Sequence, residues 1–202
     1  LGSGCLGRGG ATRSIEVDRG EGFSHVIRGV LLTTVPGNSR VQEALDNVRR
    51  GHDLNPHDMR SLIGWSYVEG IFGNPEPAIE HLQQALRISP RDPMRPILHQ
   101  QLTLSCFAAR RYADGVTYAL LGIAEAPDFV SLQMFLANNY VGLGEIDKAR
   151  AALADARRCG PEFVERQLAG TINGNPVNRD RLRLFARVAA GLEDPAAVEA
   201  MR

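Results

Sequence analysis

Three cysteines in 202 residues, Cys5, Cys106 and Cys159, lie far apart with no CxxC spacing. This argues against a disulfide framework or a structural zinc site and predicts a reducing compartment, the cytoplasm. Net charge is lacking as well, since 23 basic residues face 23 acidic ones. A chain without a global field offers no electrostatic footprint for nucleic acid or an anionic membrane. No apolar run approaches the ~20 residues that span a bilayer, and no charged-then-apolar signal segment opens the chain. Lys148 stands alone against 22 arginines. With abundant alanine and glycine, this reflects a GC-rich coding bias rather than a function. Leu1 stands where a full reading frame has methionine, which predicts a piece of something longer.

Catalytic motifs are equally scarce. Gly2, Gly4 and Gly7 match GxGxxG in letters, but no strand precedes them and Gly9-Gly10 discourages a helix after them. The glycines therefore predict a flexible leader over residues 1–21 rather than a dinucleotide cradle. His52, Asp53, His57 and Asp58 gather in "GHDLNPHD" and invite a metal reading. A helical zinc pair wants histidines at i and i+4 on one helix, whereas Pro56 separates these two across a turn. Cys106 sits in an apolar helical pattern and reads as a small buried side chain. There is no GxSxG serine, no P-loop and no pair of carboxylates with a sequence reason to converge. The chain is read as a non-enzyme with no cofactor and no metal.

What the sequence does contain is a rhythm. Pro56, Pro90, Pro127 and Pro161 fall at intervals of 34, 37 and 34 residues. Twelve residues before each stands a small residue: Ala44, Ala78, Gly115 and Ala149. Five before stand Gly51, Ala85, Gly122 and Ala156, small again, and eight before stand the apolar Val48, Leu82, Ala119 and Leu153. The segment "EPAIEHLQQALRISPRDP" from Glu76 to Pro93 shows the pattern most fully. Ala78, Leu82 and Ala85 share one helical face with Ile79 and Leu86, and Pro90 ends the helix by lacking an N–H.

These columns resemble the tetratricopeptide repeat, two antiparallel helices per unit with packing alanines and a closing proline. The resemblance covers roughly residues 25–161 and is fullest at Tyr140, Gly144, Ala149, Leu153, Ala156 and Pro161. Gly115 and Gly122 depart from it by replacing alanines, and Trp65 stands one apolar column away from the family's tryptophan. It implies an all-α, right-handed superhelical solenoid with about three full repeats after a partial first one. The units run over about 22–56, 57–93, 94–128 and 129–162. Helices are expected at 22–34, 40–53 (N-capped by Ser39), from 57–58, 76–89, 96–109, 112–125, 129–142 and 145–159. Residues 163–202 break the rhythm. Within them Leu182, Phe185, Val188, Ala189 and Leu192 form one face of a helix over 179–190, with Arg179, Arg181, Arg183 and Arg187 on the remainder. That pattern predicts a polar-backed lid over the apolar end of the stack.

The resemblance also implies a function. In such arrays the first helices of successive units line a concave groove that receives a peptide segment of a protein partner. Carried onto this sequence, the groove columns are Arg60, Ile63 and Tyr67, then Ile97, Gln100, Leu104 and Phe107, then Ser131, Met134, Asn138 and Val141. The columns that clamp a C-terminal carboxylate in chaperone-binding members hold Ile63, Tyr67, Ser131 and Phe135 here, which disfavours that ligand. Residues 78–93 and 184–195 resemble bacterial multidomain proteins in which a repeat array follows a class III adenylate/guanylate cyclase or a winged-helix regulator. The expectation is a protein-binding scaffold, the tail of a bacterial signalling protein. The alternative is the C-terminal part of a cyclase whose catalytic domain lies elsewhere. A helical array that reads RNA would want a basic groove, which the charge balance does not support.

Overall fold

The computed structural model describes residues 8–33, 40–170 and 176–201. Within them the chain forms α1 (Arg8–Leu32), α2 (Val41–Leu54), α3 (Met59–Phe72), α4 (Pro75–Ile88) and α5 (Arg95–Ala108). There follow α6 (Tyr112–Glu125), α7 (Val130–Leu143), α8 (Ile146–Cys159), α9 (Pro161–Ala169), α10 (Pro176–Ala189) and a 3-10 turn at Pro195–Met201. No strand occurs among the described residues. Each helix from α2 to α8 is 14 residues long, so each pair presents about four turns to its neighbours.

Local chemistry sets the helix ends. Asp58 caps α3, accepting hydrogen bonds from the Ser61 N–H (3.2 Å) and hydroxyl (2.9 Å). Asn74 accepts from the Glu76 N–H, and Pro75 occupies the first helical position, where its missing N–H costs nothing. Gly144 ends α7 in the left-handed conformation at φ 81°. The Ser39 cap lies outside the described residues, and α2 starts from Arg40 without a side-chain cap. One element differs plainly. Residues 8–21, expected in a leader, continue α1, because the packed segment 22–32 supplies a nucleus from which each further residue adds one backbone bond. Residues 1–7 of that expected leader lie outside the described residues.

The small-residue columns lie at the helix contacts. Ala44, Ala78, Ala149 and Ala156 are wholly buried, and Ala85 is nearly so. The two glycine departures have a steric cause. A Cβ on Gly115 would come 2.2 Å from the Asn139 Oδ1, and one on Gly122 would come 2.9 Å from the His99 Cβ. Asn139 cannot swing aside cheaply, since it is buried and donates to the Phe135 carbonyl at 2.8 Å. The middle unit has therefore closed to hydrogen-sized contacts where its neighbours keep methyl-sized ones.

Three polar groups tie helices together, Glu69 and His99 buried and His52 half-buried. Glu69, only 4% exposed, accepts from Nε and Nη2 of Arg49 on α2 and from the Asn74 N–H. His52 stacks on Trp65 at 4.7 Å, with His81 edge-on to both rings. His99 is buried between α5 and α6 with neither ring nitrogen hydrogen-bonded, its Nε2 3.6 Å from the Glu125 carboxylate that Arg95 holds. Burial lowers the pKa of His99, with the Glu125 charge opposing, and burial followed by the charge of His81 lowers that of His52.

This packing can be tested at two points. Alanine is the better helix former by about 1 kcal/mol, yet overpacking costs about 1–3 kcal/mol. Gly115→Ala and Gly122→Ala should therefore each lower the melting temperature, and a rise in both would refute the close-contact account. The second test concerns acid. Unfolded histidine binds its proton near pH ~6.5, while folded His52 and His99 bind theirs at lower pH. Their contribution is complete above that value and shrinks as pH falls through it. Melting temperature should drop between about pH 7.5 and pH 5.5, and His99→Met should flatten the slope; an unchanged slope would remove His99 from the account.

Candidate functional site

Beyond α8 the chain turns back on itself. Gly170, at φ 76°, ends α9 in the left-handed conformation that its lack of a Cβ permits. Helix α10 then runs over the C-terminal ends of the first helices rather than only over the end of the stack. Asn178 donates to the Ile71 carbonyl of α3 at 2.9 Å, 107 residues away in sequence. Arg181 donates to the Phe107 carbonyl and, at 3.0 Å, to the Ala108 carbonyl at the end of α5. Its guanidinium lies 4.6 Å from the centre of the Phe107 ring. Phe185 meets the same ring edge-on at 5.2 Å, and the Tyr112 hydroxyl donates to the Met201 carbonyl.

This corrects the sequence expectation for the arginine-bearing helix. Arg181 is 4% exposed, so it does not belong to a polar outer face. The last carbonyls of a helix have no partner within it and carry the negative end of its dipole, so a cation donated from another helix satisfies both. Burial lowers the pKa of Arg181, and the guanidinium remains charged.

The predicted groove residues divide into three groups. Tyr67, Gln100 and Leu104, from α3 and α5, line one cavity of about 190 Å³. Phe135 of α7, Phe163 and Gln167 of α9, and Arg179, Leu182 and Arg183 of α10 complete its wall. Burial raises the pKa of the Tyr67 hydroxyl, a hydrogen bond with Thr33 working against it. Gln100 donates to the Ser131 hydroxyl at 2.8 Å, which fixes both side chains across α5 and α7. Ile63 and Ile97 are half-buried outside this cavity, and exposed Arg60 sits over the Phe23 ring of α1 at 4.6 Å. Phe107, Met134, Asn138 and Val141 are wholly buried, and Ser131 is 4% exposed. These five are not presented to a ligand, because α10 and the neighbouring helices cover them.

Two cavity residues have no counterpart in the sequence reading. Gln101 and Gln167 are buried, and neither side-chain amide has a hydrogen-bond partner among the described residues. Gln101 follows directly on Gln100 and Gln167 stands apart, so neither gives a periodic signal; only the return of α9 and α10 brings them together. The Cys106 thiol is pushed up to about 12 by burial, so it is no nucleophile. Among the described residues no three ligating side chains gather to hold a metal. No helix there is long and apolar enough to cross a membrane.

The architecture is that of a tetratricopeptide-repeat solenoid, and solved structures share it. TTC0263, described as a thermophilic TPR protein of Thermus thermophilus, superposes with a TM-score of 0.61 at 20% identity. The match covers 88% of this chain and 93% of that one. MamA, residues 41 to the end, from Desulfovibrio magneticus gives a TM-score of 0.58 at 15% identity, covering 96% and 99%. At these identities the likeness is one of fold. No family model matches the sequence, and no curated protein matches it.

The seat of α10 is testable at Arg181. Hydrogen bonds to a charged group contribute about 1.5–3 kcal/mol each when buried, so losing the two made by Arg181 in Arg181→Ala should cost about 3 kcal/mol or more in urea denaturation. Amide exchange in α10 should accelerate more than in α4. Arg187→Ala breaks only the half-exposed pair with Glu193 and should cost about 1 kcal/mol or less. Equal effects would mean that the helix-end carbonyls do not hold α10.

Proposed function

We propose that the chain is a non-catalytic scaffold that holds an extended segment of a protein partner on its concave face. The observation that carries this is the convergence of Tyr67, Gln100 and Leu104, from successive first helices, on one cavity. Repeat stacking sets such residues at a regular spacing, which suits a partner that presents side chains at regular intervals. Half-buried Ile63 and Ile97 extend the apolar part of this face, and the Gln100 amide oxygen, unengaged among the described residues, can accept a backbone N–H. A place in a bacterial cytoplasmic signalling or regulatory protein rests on the resemblance carried by residues 78–93 and 184–195. The same resemblance underlies the alternative that the module accompanies a cyclase domain.

The test starts from peptides selected against the immobilised chain, with affinity then measured by fluorescence anisotropy. Anchors in such sites carry ~1–2 kcal/mol or more, so Tyr67→Ala combined with Gln100→Ala should weaken binding at least about tenfold. Melting temperature must stay close to the parent's, which separates lost contact from lost fold. Leu120→Ala, at an exposed position of α6, should leave affinity unchanged. Selected peptides that bind the double variant as tightly as the parent would move the site off the concave face.

A further inference from the structure

We propose that the cavity beneath α10 binds a small carboxylate with a compact apolar body, about the size of one aromatic ring. The cavity measures about 190 Å³. A dry apolar cavity of roughly 150 Å³ accommodates benzene, so a single ring with a short substituent fits here. Leu104, Phe135 and Leu182 supply apolar wall from three different helices, with Tyr67 beside them.

The polar part of the wall is what selects a carboxylate. Gln101 and Gln167 are 7% and 4% exposed, and their side-chain amides lack partners among the described residues. Neither amide is sealed from the cavity space, so both are open to a ligand's acceptor atoms. Each amide N–H₂ donates, which suits the two oxygens of a carboxylate. Arg183 lines the same cavity from α10, and no ion-pair partner for it occurs among the described residues. Arg179 beside it is already engaged by Asp180 at 3.0 Å. One unneutralised cation and two unpaired amide donors around an apolar hollow match an anionic head on an apolar body. An uncharged hydrocarbon would make no use of these three donors, and a free inorganic anion would leave the apolar wall empty.

The proposal goes beyond the scaffold reading: it concerns the same cavity but a ligand distinct from the peptide. Isothermal titration calorimetry on the full 202-residue chain uses benzoate, phenylacetate and benzyl alcohol as probes. Saturable one-to-one binding of a carboxylate probe is expected, at least about tenfold tighter than benzyl alcohol. Arg183→Gln, at an exposed position, should abolish that preference while leaving the melting temperature close to the parent's. Leu104→Trp should fill the hollow and abolish binding of every probe.

No saturable binding of either carboxylate up to about 10 mM would overturn the proposal. So would equal affinity for acid and alcohol, or a preference that survives Arg183→Gln. If Leu104→Trp blocks a selected peptide while no carboxylate binds the parent, the hollow belongs to a partner's side chain and the proposal fails. That outcome leaves the scaffold reading standing. Loss of peptide discrimination at Tyr67 and Gln100 would remove the scaffold reading without touching the calorimetric result.

Discussion

Close approach of helix backbones is the constraint on which this molecule depends. An alanine methyl sets the contact distance in the first and third full units, and a bare glycine hydrogen sets it in the middle one. The small residues recur at fixed offsets from each closing proline, so successive helix pairs make their close contacts at corresponding positions. A regular stack follows, and its first helices line up along one face. The face is thus a consequence of the small residues on the second helices, against which the first helices pack. A larger residue at Ala149 or Gly115 disturbs the concave surface without belonging to it.

Local features of the fold were legible because they depend on residues near in sequence. Proline punctuation, the Asp58 and Asn74 caps and the helical recurrence of Ala78, Leu82 and Ala85 place α3 to α8 within about two residues of their observed limits. Glycines at 115 and 122 read as departures only because their partners, Asn139 and His99, lie on other helices. The extension of α1 escaped for the opposite reason. Glycine-rich composition argues against a helix, and the packing of residues 22–32 against α2 overrides that propensity.

The site was legible only in part. Family columns brought forward Tyr67, Gln100 and Leu104, which do share a cavity, but they also brought forward Phe107, Met134, Asn138 and Val141, which do not. Column position reports which side of a helix a residue takes, whereas exposure depends on what later returns to cover it. Here the covering element lies 73 to 107 residues further along the chain, and its contacts are made to backbone carbonyls. Carbonyls leave no trace in side-chain patterns, so no reading of residues alone finds the acceptors of Arg181 or Asn178.

That choice of acceptor also shapes how the concave face behaves. Surface pairs such as Arg95 with Glu125 join two mobile charges and weaken as salt screens them. Arg181 instead faces the fixed partial charges at the end of α5, in a site closed to solvent by Phe107 and Phe185. Little mobile counter-charge reaches it there. The seat of α10 therefore depends on the geometry of α5 more than on ionic strength, and the geometry of α5 depends in turn on the glycine contacts of the middle unit. The hollow beneath α10 inherits its shape through that sequence of contacts. Its floor comes from repeat stacking, its roof from the returning helix, and its amide donors from the meeting of the two.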